Sequence, residues 1–244
     1  MKSLFVAWQD PESRKWAPVG RLSCDNARYH FVYTHGAESL PNFTPFGRMN
    51  DLHVEYVSDK LFPLFANRIL AKSRPEYQQY MSWLGLNHVV PPDSLDELAR
   101  TGGLRATDSL ELFPCPSPTA SRHYEVFFFA RGMRHLHAEN GIRASQLKLG
   151  EQLFAMPDPQ NQFDQMALLL RTADPITLVG YAPRYFAAEF NQLINSLGAE
   201  QVQVSVEKVN IDAPLQYRVL CKISAPWPSN FQPCRENNFK PILR

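Results

Sequence analysis

Two aspartates, Asp158 and Asp164, lie in the run AMPDPQNQFDQMALLL between Ala155 and Leu170. A carboxylate pair can serve acid–base chemistry or hold Mg²⁺. Flanked by Pro and Asn, these two read instead as Asx-turn formers that accept backbone N–H bonds. In RGMRHLHAENG, His135 and His137 stand at spacing two. On a strand they would share a face, as metal ligands can, yet no third ligand lies close in sequence. They read as polar residues in a turn or at a strand end. TGGLRATDS, Thr101 to Ser109, sets a glycine pair before Arg105 and Asp108. It could cradle an anion, but a helix C-cap followed by a turn explains it more simply. There is no G-x-S-x-G, P-loop, G-x-G-x-x-G or H-E-x-x-H. The residue chemistry therefore points away from an enzyme. A metal-dependent hydrolase using Asp158 and Asp164 is the residual catalytic reading, and no cofactor is implied.

The elements that must position these residues follow from periodicity. SLFVAWQ reads as a strand, and VGRLSCDNARYHFVY as two strands joined across Asp25-Asn26. Tyr29, Phe31 and Tyr33 share a face at period two. A long irregular connection follows, THGAESLPNFTPFGRMNDLHVEYVS. DKLFPLFANRIL carries Pro63 near a helix start. SRPEYQQYMSWLGL predicts a helix capped by Ser73 and ended by Gly85. PPDSLDELARTGG predicts another, capped by Asp93 or Ser94 and stopped by Gly102-Gly103. FPCPSPTASRHY is the best linker. Beyond it YEVFFFARGM, QLFAM, QMALLLRT and PITLVGYAP read as strands. PRYFAAEFNQLINSLG reads as a helix between Pro183 and Gly198. EQVQVSVEKVN and LQYRVLCKISA alternate as half-buried strands do. The fold class is α+β: an N-terminal α+β domain over residues 1–113, a linker at 114–121, a mostly β, OB-like barrel with one helix over 122–225, and an extended tail at 226–244.

Composition narrows the partners. Of 244 residues 44% are hydrophobic, which is enough for a packed core. Lys and Arg number 25 against 24 Asp and Glu, for a net charge of +1, so the basic footprint of a typical nucleic-acid binder is absent. The four cysteines form no C-x-x-C pair and suit a reduced, intracellular chain. MKSLFVAWQDPESRKW has too short an apolar run for a signal peptide, and no stretch nears the ~20 residues that span a bilayer. The expectation is a soluble, cytoplasmic protein.

Three segments of the second half, ARGMRHL, PDPQNQFDQMAL and VGYAPRYFAAEF, together resemble the HIRAN domain between Arg122 and Ala225. HIRAN domains are OB-like barrels, and the best understood members bind single-stranded DNA and hold its free 3′ end. The resemblance implies that Asp164 accepts a hydrogen bond from the 3′-hydroxyl and that Phe163 stacks on the terminal base. It sets Asn161 near sugar or phosphate, Arg134 facing a phosphate, and His135 and Tyr181 at stacking positions. Phe163 stands where the family has tyrosine, Met166 where it has asparagine, and His135-Leu136 where it has an aromatic pair. The first half, through VGRLSCDNARYHFVY, LFPLFANRIL and YMSWLGL, resembles the N-terminal subdomain of HipA-type kinases, without the kinase core. That implies an alternative: an antitoxin-like or accessory module, as in toxin–antitoxin operons, docking on a separate HipA-like kinase. The leading expectation is a non-enzymatic protein that binds single-stranded DNA or 3′ DNA ends.

Overall fold

Alternating apolar residues, interrupted by turn formers, build the first sheet. The computed structural model describes residues 2–87 and 93–243. Strands β1 (Lys2–Gln9), β2 (Trp16–Asp25), β3 (Arg28–Tyr33), β4 (Tyr56–Ser58) and β5 (Leu110–Pro114) form one antiparallel sheet in the order β4-β3-β2-β1-β5. The β2–β3 turn falls one residue later than expected. Asp25 pairs with Arg28, and the loop residues are Asn26 and Ala27, both at positive φ, as a tight hairpin with right-handed strands requires.

One face of this sheet carries Leu4, Val6, Leu22, Phe31, Tyr33 and Leu112 into a core shared with α1 (Pro63–Ala66) and α3 (Ser94–Thr101). Buried Tyr33 organises the long connection. Its hydroxyl donates to Met49 O and accepts from Phe46 N, both at 2.6 Å. Burial pushes that hydroxyl up to about 12.

α3 starts and stops as predicted. The Asp93 carboxylate accepts from Leu95 N, and Gly102 ends the helix in the left-handed region. The Gly102-Gly103 turn is filled from within the fold. The buried Arg68 guanidinium donates to Gly103 O at 2.8 Å and to Asp108 Oδ2 at 2.5 Å, while its Nε reaches Leu64 O. α2 (Tyr77–Trp83) is shorter than the helix expected from Ser73. Pro75 disfavours helical geometry at Arg74, and the chain makes two successive turns, Arg74 N to Ala71 O and Tyr77 N to Arg74 O.

The chain divides into two units: residues 1–78, 87–115 and 232–244, and residues 79–86 and 116–231. The second half of α2 thus packs with the second unit, where Lys208 Nζ donates to Ser82 O and Asn210 Nδ2 to Trp83 O. The end of the tail is ordered against the first unit. His35 N donates to Lys240 O, Gly36 N to Asn238 O, and Ile242 N to Tyr33 O.

The second unit is mostly strand. β6 (His123–Phe129), β7 (Gln152–Pro157), β8 (Leu168–Arg171), β9 (Leu178–Tyr181), β10 (Gln203–Val209) and β11 (Val219–Pro226) run in the order β6-β11-β10-β7-β8-β9. Bulges at Val179 in β9 and Glu207 in β10 tighten the twist and curl this sheet into a half-barrel. Its edges meet where Arg131 and Tyr181 exchange both backbone hydrogen bonds at 2.8 Å. Gly180 permits that approach: its φ is +147°, and a Cβ there would lie 2.7 Å from Arg131 O.

α5 (Arg184–Leu197) runs between Pro183 and Gly198 as predicted, with Phe190 packed on Tyr124 and Phe128 of β6. A second helix, α4 (Ala138–Ser145), joins the one expected. It follows a 3-10 turn at Met133–His135, so His135 and His137 do not alternate on a strand. The α+β class and the barrel-like second half thus agree with the sequence reading. No described helix is long and apolar enough to cross a membrane.

Two substitutions test these constraints. Asp108→Ala leaves the buried Arg68 charge without its carboxylate and is expected to cost about 3 kcal/mol in urea unfolding, the low end for a broken buried pair. Gly180→Ala forces a side chain against Arg131 O at positive φ and should cost about 1–3 kcal/mol, read as a lower Tm.

Candidate nucleic-acid interface

The hairpin of β7 and β8 ends with Pro157 opposite Leu168, and Asp158 N donates to Ala167 O. Between them lies the loop of residues 158–167. Asn161 is its keystone. Its Oδ1 accepts from Phe163 N at 3.0 Å and Asp164 N at 3.1 Å, and its Nδ2 donates to Asp158 Oδ2 at 3.2 Å. Asp164 Oδ1 accepts from Met166 N, which makes the expected Asx turn. Pro and Asx residues thus satisfy the loop's backbone locally, where a ladder cannot.

Three contacts tie the loop to the scaffold. The Tyr181 hydroxyl donates to Asp158 Oδ2 at 3.0 Å. Arg184, the first residue of α5, places Nε 3.2 Å from Asp164 Oδ2 and donates through Nη2 to Phe163 O at 2.9 Å. Asn191, farther along α5, donates to Met166 O at 2.9 Å. Burial, then the hydrogen bond to Asp158, raises the Tyr181 hydroxyl above its ordinary value.

The loop holds Phe163 outward, 78% exposed, and leaves the Met166 side chain exposed beside it in sequence. On β7, Phe154 and Met156 alternate onto one face and are also exposed. The Arg171 guanidinium, opposite Phe154 on β8, lies 5.0 Å from its ring centroid. Exposed aromatics on a curled sheet, with arginines beside them, are the parts from which single-strand sites are made.

The six sequence candidates fall into two groups. Asn161, Phe163, Asp164 and Tyr181 belong to one hydrogen-bonded assembly through Asp158 and Arg184. Arg134 and His135 sit on the exposed 3-10 turn, where Arg134 Nε donates to His135 Nε2 at 2.9 Å. That turn meets the assembly through Gly132, which packs on the Tyr181 ring. Among the described residues Arg134 has no carboxylate partner. The roles of Asp158 and Arg184 as anchors, and the Phe154–Arg171 stack, were not read from sequence. A period-two reading of QLFAM against LLLR could have found the stack. Arg184 stood in the quoted VGYAPR segment without a role. No group of three or more metal-ligating side chains occurs among the described residues.

Comparison with known proteins bears on the second half alone. No curated protein matches the chain. The comparisons give no support to the HipA-type resemblance of the first half. A crystal structure of a protein from Lactobacillus plantarum aligns at 16% identity over 42% of this chain and 96% of that one, with a TM-score of 0.33, too loose a likeness to carry an argument. The family model of the HIRAN domain, a DNA-binding module, matches residues 123–228. That span holds the curled sheet, the 158–167 loop, Tyr181 and α5, so it is the C-terminal half of this chain that matches the HIRAN domain.

Proposed function

We propose that the protein binds single-stranded or frayed DNA at its 3′ end through the 158–167 loop, and that it does so without catalysing a reaction. The observation that carries this reading is Phe163, an aromatic ring held 78% exposed by a loop whose backbone is fastened on both sides. A ring held outward by a fixed loop is placed to meet a flat partner, and every base offers a π-face. Asp164 uses one bond on each oxygen within the fold, which leaves lone pairs for a 3′-hydroxyl. Arg134, without a carboxylate partner among the described residues, suits a phosphate. Asp158 and Asp164 both act as loop scaffold, one bonded to Asn161 and Tyr181 and the other to Arg184. That commitment argues for binding rather than hydrolysis.

Fluorescence anisotropy with labelled oligonucleotides tests it. A strand with a free 3′-hydroxyl should bind more tightly than one ending in 3′-phosphate. Equal affinity, or no binding at low salt, would overturn the reading. Phe163→Ala should weaken binding by about 1–3 kcal/mol, the worth of one stacked base. Asn161→Ala removes the loop's internal acceptor but leaves the Phe163 ring in place. It should weaken binding several-fold by loosening the loop, with the loss seen mainly as faster dissociation in stopped-flow measurements.

A further inference from the structure

The first unit carries a second cluster of binding chemistry. The outer face of its sheet sets Phe113, Phe5 and Arg21 in one cross-strand row. The C-terminal segment folds over this face, and Phe239 packs edge-on at 4.9 Å from Phe5 and against Phe113. Between sheet and segment lies a groove of about 530 Å³, lined by Phe5, Arg21, Arg235, Phe239 and Lys240 together with Cys234 and Pro241.

Its chemistry is one-sided. Among the described residues three cations line it and no carboxylate does. None of Arg21, Arg235 and Lys240 makes an ion pair among the described residues. Arg21 Nε is buried with no hydrogen-bond partner. A buried donor left unsatisfied is costly, and like charges gathered on one wall call for an anion. Guanidinium groups match phosphate oxygens through paired donors. Beside them the half-buried Phe239 ring offers a partly open apolar surface for a planar group. The volume falls within the range of small-molecule sites.

We infer that this groove binds a nucleotide, its phosphate held by Arg21, Arg235 and Lys240 and its base against Phe239. The nucleotide can be free or part of a strand. The inference is independent of the loop at 158–167.

Isothermal titration of the full chain at low salt tests it with three probes: inorganic phosphate, deoxyadenosine monophosphate, and a short oligothymidine blocked by 3′-phosphate. The substitutions are Arg235→Glu with Lys240→Glu, both at exposed positions, and Phe239→Ala. The mononucleotide should bind saturably and more tightly than phosphate. The double variant should lose at least about ten-fold in affinity, the effect of removing one charge-assisted hydrogen bond. Phe239→Ala should narrow the gap to phosphate, and the loss caused by the double variant should be the same in the Phe163→Ala background. If the double variant also weakens the blocked strand, measured in the Phe163→Ala background, the source is a nucleic acid. If it weakens the mononucleotide alone, the source is a free nucleotide. Absence of saturable binding, mononucleotide binding no tighter than phosphate, or indifference to the double variant would overturn the inference.

Discussion

The backbone pairing of Arg131 with Tyr181 is the constraint on which the candidate site of the second unit depends. A curled sheet has two exposed edges, and unpaired edge groups are a liability. Here β6 and β9 approach through Gly180, whose missing side chain leaves room for Arg131 O. The same residue that joins the edges carries the phenol that holds Asp158. Closure of the sheet and placement of the loop are therefore one event. The turn bearing Arg134 and His135 leaves the sheet just past Arg131, so it is positioned by that pairing too.

Within the loop the hydrogen bonds are economical. Asn161 alone accepts from two backbone donors and donates to Asp158, and Asp164 both caps Met166 N and meets Arg184. Such a loop has already given up much of its conformational entropy before any ligand arrives, which favours tight binding by a small surface. The arrangement also fits a nearly neutral chain. In the proposed function, without a large basic field, counterion release would contribute little, and stacking and fixed hydrogen bonds would supply more of the affinity.

The first unit uses a different device. Its sheet is covered on both faces, by the aromatic and aliphatic core on one and by the returning C-terminal segment on the other. Tyr33 lies at the centre of the core side, where its hydroxyl bonds two points of a connection too irregular to hold itself. Arg68 does the same for the turn after α3. Both are polar groups buried with their hydrogen bonds satisfied, so they specify one arrangement of chain that apolar packing alone would leave loose.

Local patterns were legible in the residues. Period-two strands, the Asp93 cap and Gly102 stop of α3, the Pro183-to-Gly198 helix, and the turn character of PDPQNQFDQ all depend on neighbours within a few positions, as does the set of segments that resembles the HIRAN domain. Misreadings also had local causes. Ser73 and Pro75 looked like a helix start because capping residues are equally good turn residues, and α4 was missed because HAENGIRAS has a short, weak apolar stripe. Long-range partners were decided by tertiary structure alone: Arg184 with Asp164, Tyr181 with Asp158, Arg68 with Asp108, and the tail against β1 and β2. The sequence by itself determined which segments bend, extend or coil, because those preferences reside in each residue's own backbone and side chain. Which charges meet and which stay open was decided by chain closure over tens to hundreds of residues, a distance over which composition carries no record of contact.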